Sequence, residues 1–128
     1  MDWKYLFTSF QGRINRKPFW LALIALTVAS FIAFFAVSAV FGTWIPTGEP
    51  GAYTITFSPI GWVIMAVLYI ALLWAGLAMG VKRLHDRNRS GWFYLLALIP
   101  LLNIWVFIEM YFLRGTVGSN AYGEDPLV

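Results

Sequence analysis

Three stretches that are almost free of charge divide the chain. Residues 19–42 and 60–81 contain no Asp, Glu, Lys or Arg, and residues 92–113 contain only Glu109. At 1.5 Å per residue, helices over the first two would extend about 36 and 33 Å, enough to cross a hydrocarbon core about 30 Å thick. The pattern therefore predicts transmembrane helices over 18–42 and 60–81. Ala25, Ala29 and Ala33 recur every fourth residue in the first, and Leu72, Gly76 and Gly80 share a face of the second. Such small-residue lines let another helix approach closely, so self-association or a membrane-protein partner is expected.

The third run, 92–113, carries Pro100 and Asn103 near its midpoint. Proline removes a backbone donor and kinks or breaks a helix. Two arrangements are open: a kinked third span with the tail outside, or a re-entrant hairpin whose halves each reach about 12–15 Å and return the tail to the starting side. Residues 43–59 form a Pro- and Gly-rich loop in which Tyr53, Ile55 and Phe57 alternate, as in a short extended segment. At the N-terminus, Trp3, Leu6, Phe7 and Phe10 fall on one helical face. Residues 1–17 thus read as a short interfacial amphipathic helix and a hinge, too short to span. Residues 82–91 form a basic loop and 114–128 a polar tail.

Composition agrees with this division. Hydrophobic residues make up 60 % of the 128 positions and charged residues 12 %; soluble domains hold roughly 45–50 % and 25 %. So small a chain cannot hide that much apolar surface from water. The fold class expected is all-α and membrane-embedded, a single membrane domain with two full spans and a broken third segment. Residues 1–11 carry one Lys and no long apolar core, so no cleaved signal peptide is expected. Cysteine is absent, which excludes disulfides and thiolate chemistry.

Charge sets an expected orientation. The N-terminal flank holds Lys4, Arg13, Arg16 and Lys17, the 43–59 loop holds no Lys or Arg, and residues 82–91 hold Lys82, Arg83, Arg87 and Arg89. Lys and Arg near membrane ends stay cytoplasmic. The N-terminus and the basic loop are expected inside, and the 43–59 loop outside.

Three motifs stand in order: F-Q-G-R-I-N-R-K-P-F-W at 10–20, K-R-L-H-D-R-N-R-S-G-W at 82–92 and G-T-V-G-S-N-A-Y-G-E-D-P at 115–126. Together they resemble the YhaH-like bacterial inner-membrane family, known as domain of unknown function 805. The family's pattern is F-x-G-R-x-x-R-x-x-F/Y-W, then R-R-L-H-D followed by S-G-W, then G-x-N-x-Y/F-G-x-D-P. The positions carried over are Gly12, Arg13, Arg16, Phe19, Trp20, Arg83, Leu84, His85, Asp86, Ser90, Gly91, Trp92, Asn120, Gly123, Asp125 and Pro126. Lys82 stands where the family usually has Arg, and Val117 where Pro is frequent. The resemblance implies a multi-pass protein of the bacterial inner (plasma) membrane, without an assigned activity. If the tail motif acts with the other two, all three share a side of the membrane, and Asp86 and Asp125 can pair with Arg13, Arg16 or Arg83. That favours the hairpin.

Candidate chemistry is sparse. His85, Asp86 and Ser90 contain the letters of a catalytic triad, but chain neighbours do not line up as nucleophile, base and orienter. One His and one Asp are too few for a metal site, and no cofactor is expected. His85 beside Asp86 reads as a structural pair or a pH-sensitive one. The basic residues Arg13, Arg16, Lys17, Lys82, Arg83, Arg87 and Arg89 are candidates for anionic head groups or a partner. No exposed domain exists to hold nucleic acid. Glu109 is an intramembrane acid and a functional candidate by default. Three functions are weighed. The best fit is a non-enzymatic membrane scaffold or accessory module working through its cytoplasmic motifs. A small oligomeric channel or transporter would use Asn103 and Glu109. A lipid head-group enzyme would use His85 and Asp86.

Overall fold

The computed structural model describes all of residues 1–128 and resolves into two compact units, Met1–Ala25 with Trp74–Val128, and Leu26–Leu73. Along the chain come α1 (Trp3–Thr8), α2 (Arg16–Phe41), β1 (Gly42–Pro46), β2 (Tyr53–Phe57), α3 (Pro59–Asp86), a 3-10 helix (Gly91–Leu98) and α4 (Leu102–Tyr111). The chain is mostly helical, and α2 and α3 are each long and apolar enough to cross a membrane. Their 26 and 28 residues correspond to about 39 and 42 Å. Large side chains along them, such as Ile32, Val40, Val67 and Tyr69, stand exposed. In water that much bare apolar surface would drive association, whereas lipid solvates it.

In the Leu26–Leu73 unit, α2 ends in a β-hairpin. The expectation of an all-α chain is corrected here: β1 and β2 pair antiparallel, with Trp44 opposite Ile55 and Gly42 opposite Phe57. Tyr-Thr-Ile-Thr-Phe supplies β-branched and aromatic residues in alternation. Its strand leaves Thr54 and Thr56 exposed, while Ile55 and Phe57 are partly covered. Phe57 packs edge-on against Phe34 and Trp62, which seats the hairpin on its own unit.

In the other unit, α1 is capped by Asp2, whose carboxylate accepts from the Tyr5 amide at 3.0 Å. Helix α3 continues past the last apolar residue through Asp86, so half of the expected 82–91 loop is helical. It closes at Asn88, in the left-handed region at φ 58°, a conformation asparagine adopts readily at helix ends. The third apolar run is broken, as Pro100 predicts. The 3-10 helix starts at Ser90, whose hydroxyl accepts from the Trp92 amide at 3.3 Å, and stops at Ile99. Leu101 takes φ 70°, and α4 follows, packed on the 3-10 helix. The chain leaves α3 at Asp86 and meets it again when the Thr116 amide donates to the Asp86 carbonyl at 2.7 Å.

The two glycines of the small-residue line on α3 differ. A Cβ on Gly76 would meet open space, whereas one on Gly80 would run into the Tyr94 ring. Gly76→Ala is therefore expected to be neutral or to raise the melting temperature in detergent, since alanine is favoured by about 1 kcal/mol in a helix interior. Gly80→Ala is expected to lower it. Loss of self-association in Gly76→Ala, with stability intact, would place a partner helix against that open face.

Candidate functional site

Charged groups occupy the centre of the Met1–Ala25 and Trp74–Val128 unit. Lys82 and Arg83 are 0 % exposed, Asp86 is 2 % and Arg13 is 6 %. Burying ions is costly unless they are paired and every remaining donor is met. Here all three motifs contribute to that pairing.

Asp86 is the hub. Its Oδ1 accepts from Arg13 Nε at 3.2 Å, and its Oδ2 accepts from Arg83 Nη1 one helical turn back. The rest of each guanidinium reaches backbone carbonyls. Arg13 donates to the tail at Thr116 (2.6 Å), Gly118 (2.8 Å) and Gly123 (3.2 Å). Arg83 donates to Met110 at 2.8 Å, to Leu113 and to Ile14 at 3.5 Å. Two guanidinium groups thus bind the N-terminal hinge, the end of α3, the end of α4 and the tail into one network. The carboxylate sits so close to the tail that a Cβ on Gly115 would fall inside it, so only glycine lets the backbone pass there.

Lys82 works on α1. Its Nζ donates to the carbonyls of Tyr5 (2.5 Å), Leu6 (2.8 Å) and Ser9 (2.5 Å) and lies 4.5 Å from the Tyr5 ring centroid. These carbonyls cluster at the C-terminal end of α1, where partial negative charge favours a cation; that of Tyr5 also accepts from the Ser9 amide. Next to it, Gly12 takes φ +87° and leaves room for the Tyr5 hydroxyl.

His85 Nδ1 donates to the Gly12 carbonyl at 3.0 Å, and its ring stacks on Tyr122 with centroids 3.9 Å apart and planes at 4°. Asn120 Nδ2 donates to the His85 carbonyl at 2.8 Å. His85, Asp86 and Ser90 point to different partners: a carbonyl, two guanidinium groups and the 3-10 helix start. Trp92 is largely exposed, and Gly91 opens the 3-10 helix.

A second cluster surrounds Glu109, which is buried. It accepts from Arg87 Nε at 2.6 Å, from Arg89 at 3.4 Å and from the Trp105 indole at 3.2 Å. Asn103 lies in the first turn of α4, outside both clusters, where its amide donates to the Ile99 carbonyl at 3.0 Å.

Asp125 does not join an arginine directly. Its two oxygens accept from the amides of Leu127 at 3.0 Å and Gly118 at 2.8 Å. Those backbone donors, with the charges of Arg13 and Arg114 behind them, hold its carboxyl below the usual value near 3.8. A depressed folded pKa contributes stability that is present above the ordinary carboxylate pKa and is lost as pH falls through the folded value. The melting temperature of the parent protein is thus expected to fall between about pH 5 and pH 3 more steeply than that of Asp125→Asn. Parallel melting curves for the two proteins would show that Asp125 bears no such load.

Of the basic residues read from the sequence, Arg13, Lys82 and Arg83 face inward and are spent on the chain's own carbonyls. Arg16 and Lys17 are exposed, and Arg87 and Arg89 are partly exposed. Residues outside the sequence reading also take part: Tyr5, Gly115, Thr116 and Tyr122. Tyr122 had a visible signal in the aromatic of the N-x-Y-G tail pattern. Thr116 had none, because it contributes only backbone.

The model of a family described as "Protein of unknown function (DUF805)" matches residues 7–124. Among similar proteins, Inner membrane protein YhaH of Escherichia coli (strain K12) is 31 % identical over 98 % of this chain and 97 % of its own length. Inner membrane protein YhaI of the same strain is 31 % identical over 94 % of this chain and 87 % of its own. Uncharacterized protein YiiR is 30 % identical over 91 % and 85 %. No solved structure matches.

Proposed function

The chain belongs to the DUF805 family, whose curated relatives include inner membrane proteins, and from that premise we propose that it is a multi-pass inner-membrane module without catalytic activity, a scaffold or accessory subunit whose cytoplasmic end meets anionic lipid or a partner. In this reading α2 and α3 span the bilayer, the N-terminus is cytoplasmic, and the β-hairpin lies on the far side. The 3-10 helix and α4 form a re-entrant element that enters and leaves by the cytoplasmic face.

One observation carries the reading. Arg13, ahead of the first span, is bonded both to Asp86, at the end of the second, and to the tail carbonyls of residues 116–123. An even number of crossings is the simplest route that brings all three to one network. Irregular backbone at membrane depth is tolerated when protein buries it, and the packing of α4 on the 3-10 helix supplies part of that cover. Inward use of Arg13, Lys82 and Arg83 favours a structural role for the motif cluster. Arg16, Lys17, Arg87 and Arg89 are the basic candidates left for head groups, each contributing about 1 kcal/mol near an anionic leaflet. The channel reading loses support because Glu109 is engaged by Arg87, Arg89 and Trp105.

A reporter fused after Val128 tests the arrangement. The expected result is the signal of a cytoplasmic fusion, equal to that of a fusion at Met1. A periplasmic signal from the C-terminal fusion would overturn the re-entrant element.

A further inference from the structure

Two buried acids are each taken by two arginines: Asp86 by Arg13 and Arg83, Glu109 by Arg87 and Arg89. Five other cations form no ion pair; Lys82 is taken up by α1 carbonyls and Lys4 lies outside, and the remaining three line one cleft. Arg16 and Lys17 stand at the start of α2 and Arg114 just beyond α4, around a cavity of about 740 Å³. The acids that also border it are already committed, Asp86 to the two guanidinium groups and Asp125 to backbone amides. Three cations thus border the cleft against two acids whose oxygens are bonded elsewhere, an arrangement that suits an anion.

The walls narrow the class of anion. Trp20 and Phe112, both exposed, pack edge to face at 6.4 Å and line the cleft beside the cations. Arg16 is held at the mouth by its bond to the Phe112 carbonyl at 2.9 Å, and Trp20 by its indole bond to the Tyr111 carbonyl at 3.1 Å. Asn15, also in the lining, has a buried amide oxygen without a hydrogen-bond partner, a group that calls for a donor. Cations arriving from two elements suit a tetrahedral group with several oxygens. An aromatic wall next to them suits a ligand with an apolar part, and a hydroxyl on its head would reach an acceptor.

We propose that this cleft seats the phosphodiester head group of one anionic phospholipid. Arg16, Lys17 and Arg114 contact the phosphate, and Trp20 and Phe112 flank the start of the acyl chains. The proposal rests on the reading that this end of the molecule faces the cytoplasmic leaflet.

The test uses the full chain in phosphatidylcholine nanodiscs containing increasing phosphatidylglycerol, with lipid retention read by native mass spectrometry. The parent is expected to retain one phosphatidylglycerol saturably. Neutralising the cleft with Arg16→Gln, Lys17→Gln and Arg114→Gln together is expected to weaken retention about a hundredfold. Arg16→Lys with Arg114→Lys, and the remote Lys4→Gln, are expected to keep it; all these positions are exposed, and unchanged melting confirms the fold. Unchanged retention in the triple variant overturns the cleft. Loss confined to Arg87→Gln with Arg89→Gln also overturns it, while leaving the wider head-group reading standing. A parent with no preference for the anionic lipid overturns both. Inorganic phosphate is the remaining probe. If it binds the parent as tightly as the lipid does, with the same dependence on the three cations, the ligand is a soluble phosphoanion and the lipid assignment falls.

Discussion

Asp86→Ala is expected to abolish accumulation of folded protein. The substitution removes one small side chain and leaves two guanidinium groups, on Arg13 and Arg83, enclosed without a counter-charge. Breaking a buried pair in this way costs about 3–5 kcal/mol, and here a single carboxylate serves two cations. A domain's whole stability is typically 5–15 kcal/mol, so the loss is a large share of it. Membrane abundance and resistance to added protease would report the effect. Apolar replacement of all three residues is not expected to rescue the protein. Arg13 and Arg83 also satisfy six backbone carbonyls, at Ile14, Met110, Leu113, Thr116, Gly118 and Gly123. Of these, the Ile14 and Met110 carbonyls belong to buried residues and would be left without these donors, at about 1–3 kcal/mol each, while Gly123 keeps the Asn120 amide. Wild-type abundance and melting in Asp86→Ala would show that the network is not what holds the motifs together.

Lys82→Met is expected to release α1 from the rest of its unit, with destabilisation on the order of 3 kcal/mol from the loss of three hydrogen bonds to a charged donor. The stem of methionine fills much of the same space, so the effect isolates the ammonium group. Lys82→Arg is expected to restore most of the loss, since a guanidinium carries five donors for the same acceptors. Hydrogen exchange over residues 3–9 is the direct measure. Fast exchange in Lys82→Met with slow exchange elsewhere is the expected pattern. Equal protection in the parent and in Lys82→Met would mean that α1 is held by Leu6 and its apolar neighbours alone.

The sequence announces the two long helices because charge is what a hydrocarbon interior forbids. The uncharged run over 60–81 lies inside α3, and that over 19–42 lies inside α2 except for Gly42, which opens β1. Pro100 likewise announces the break in the third run, since a missing donor acts locally. The hairpin was half legible. Tyr53, Ile55 and Phe57 alternate visibly, but their partner strand, Gly-Thr-Trp-Ile-Pro, sets two large apolar residues side by side and shows no period.

The inward turn of Arg13, Lys82 and Arg83 was hidden for another reason. Position near a membrane end predicts the side on which a cation lies, not the direction in which it points. Most of the groups that receive these three cations are backbone carbonyls, which every residue owns and no letter marks. Pairing of Asp86 with Arg13 and Arg83 could be anticipated from the charges alone. Asp125 could not be placed that way, because its partners are the amides of Gly118 and Leu127.

The separation between Arg13 and the carbonyls it binds, 103 to 110 positions along the chain, fixes an order of events at the ribosome. Arg13 is made early and its acceptors only after all three apolar runs. The network therefore cannot close until synthesis has passed residue 123, and a product cut short before residue 116 carries a cation whose destination was never made.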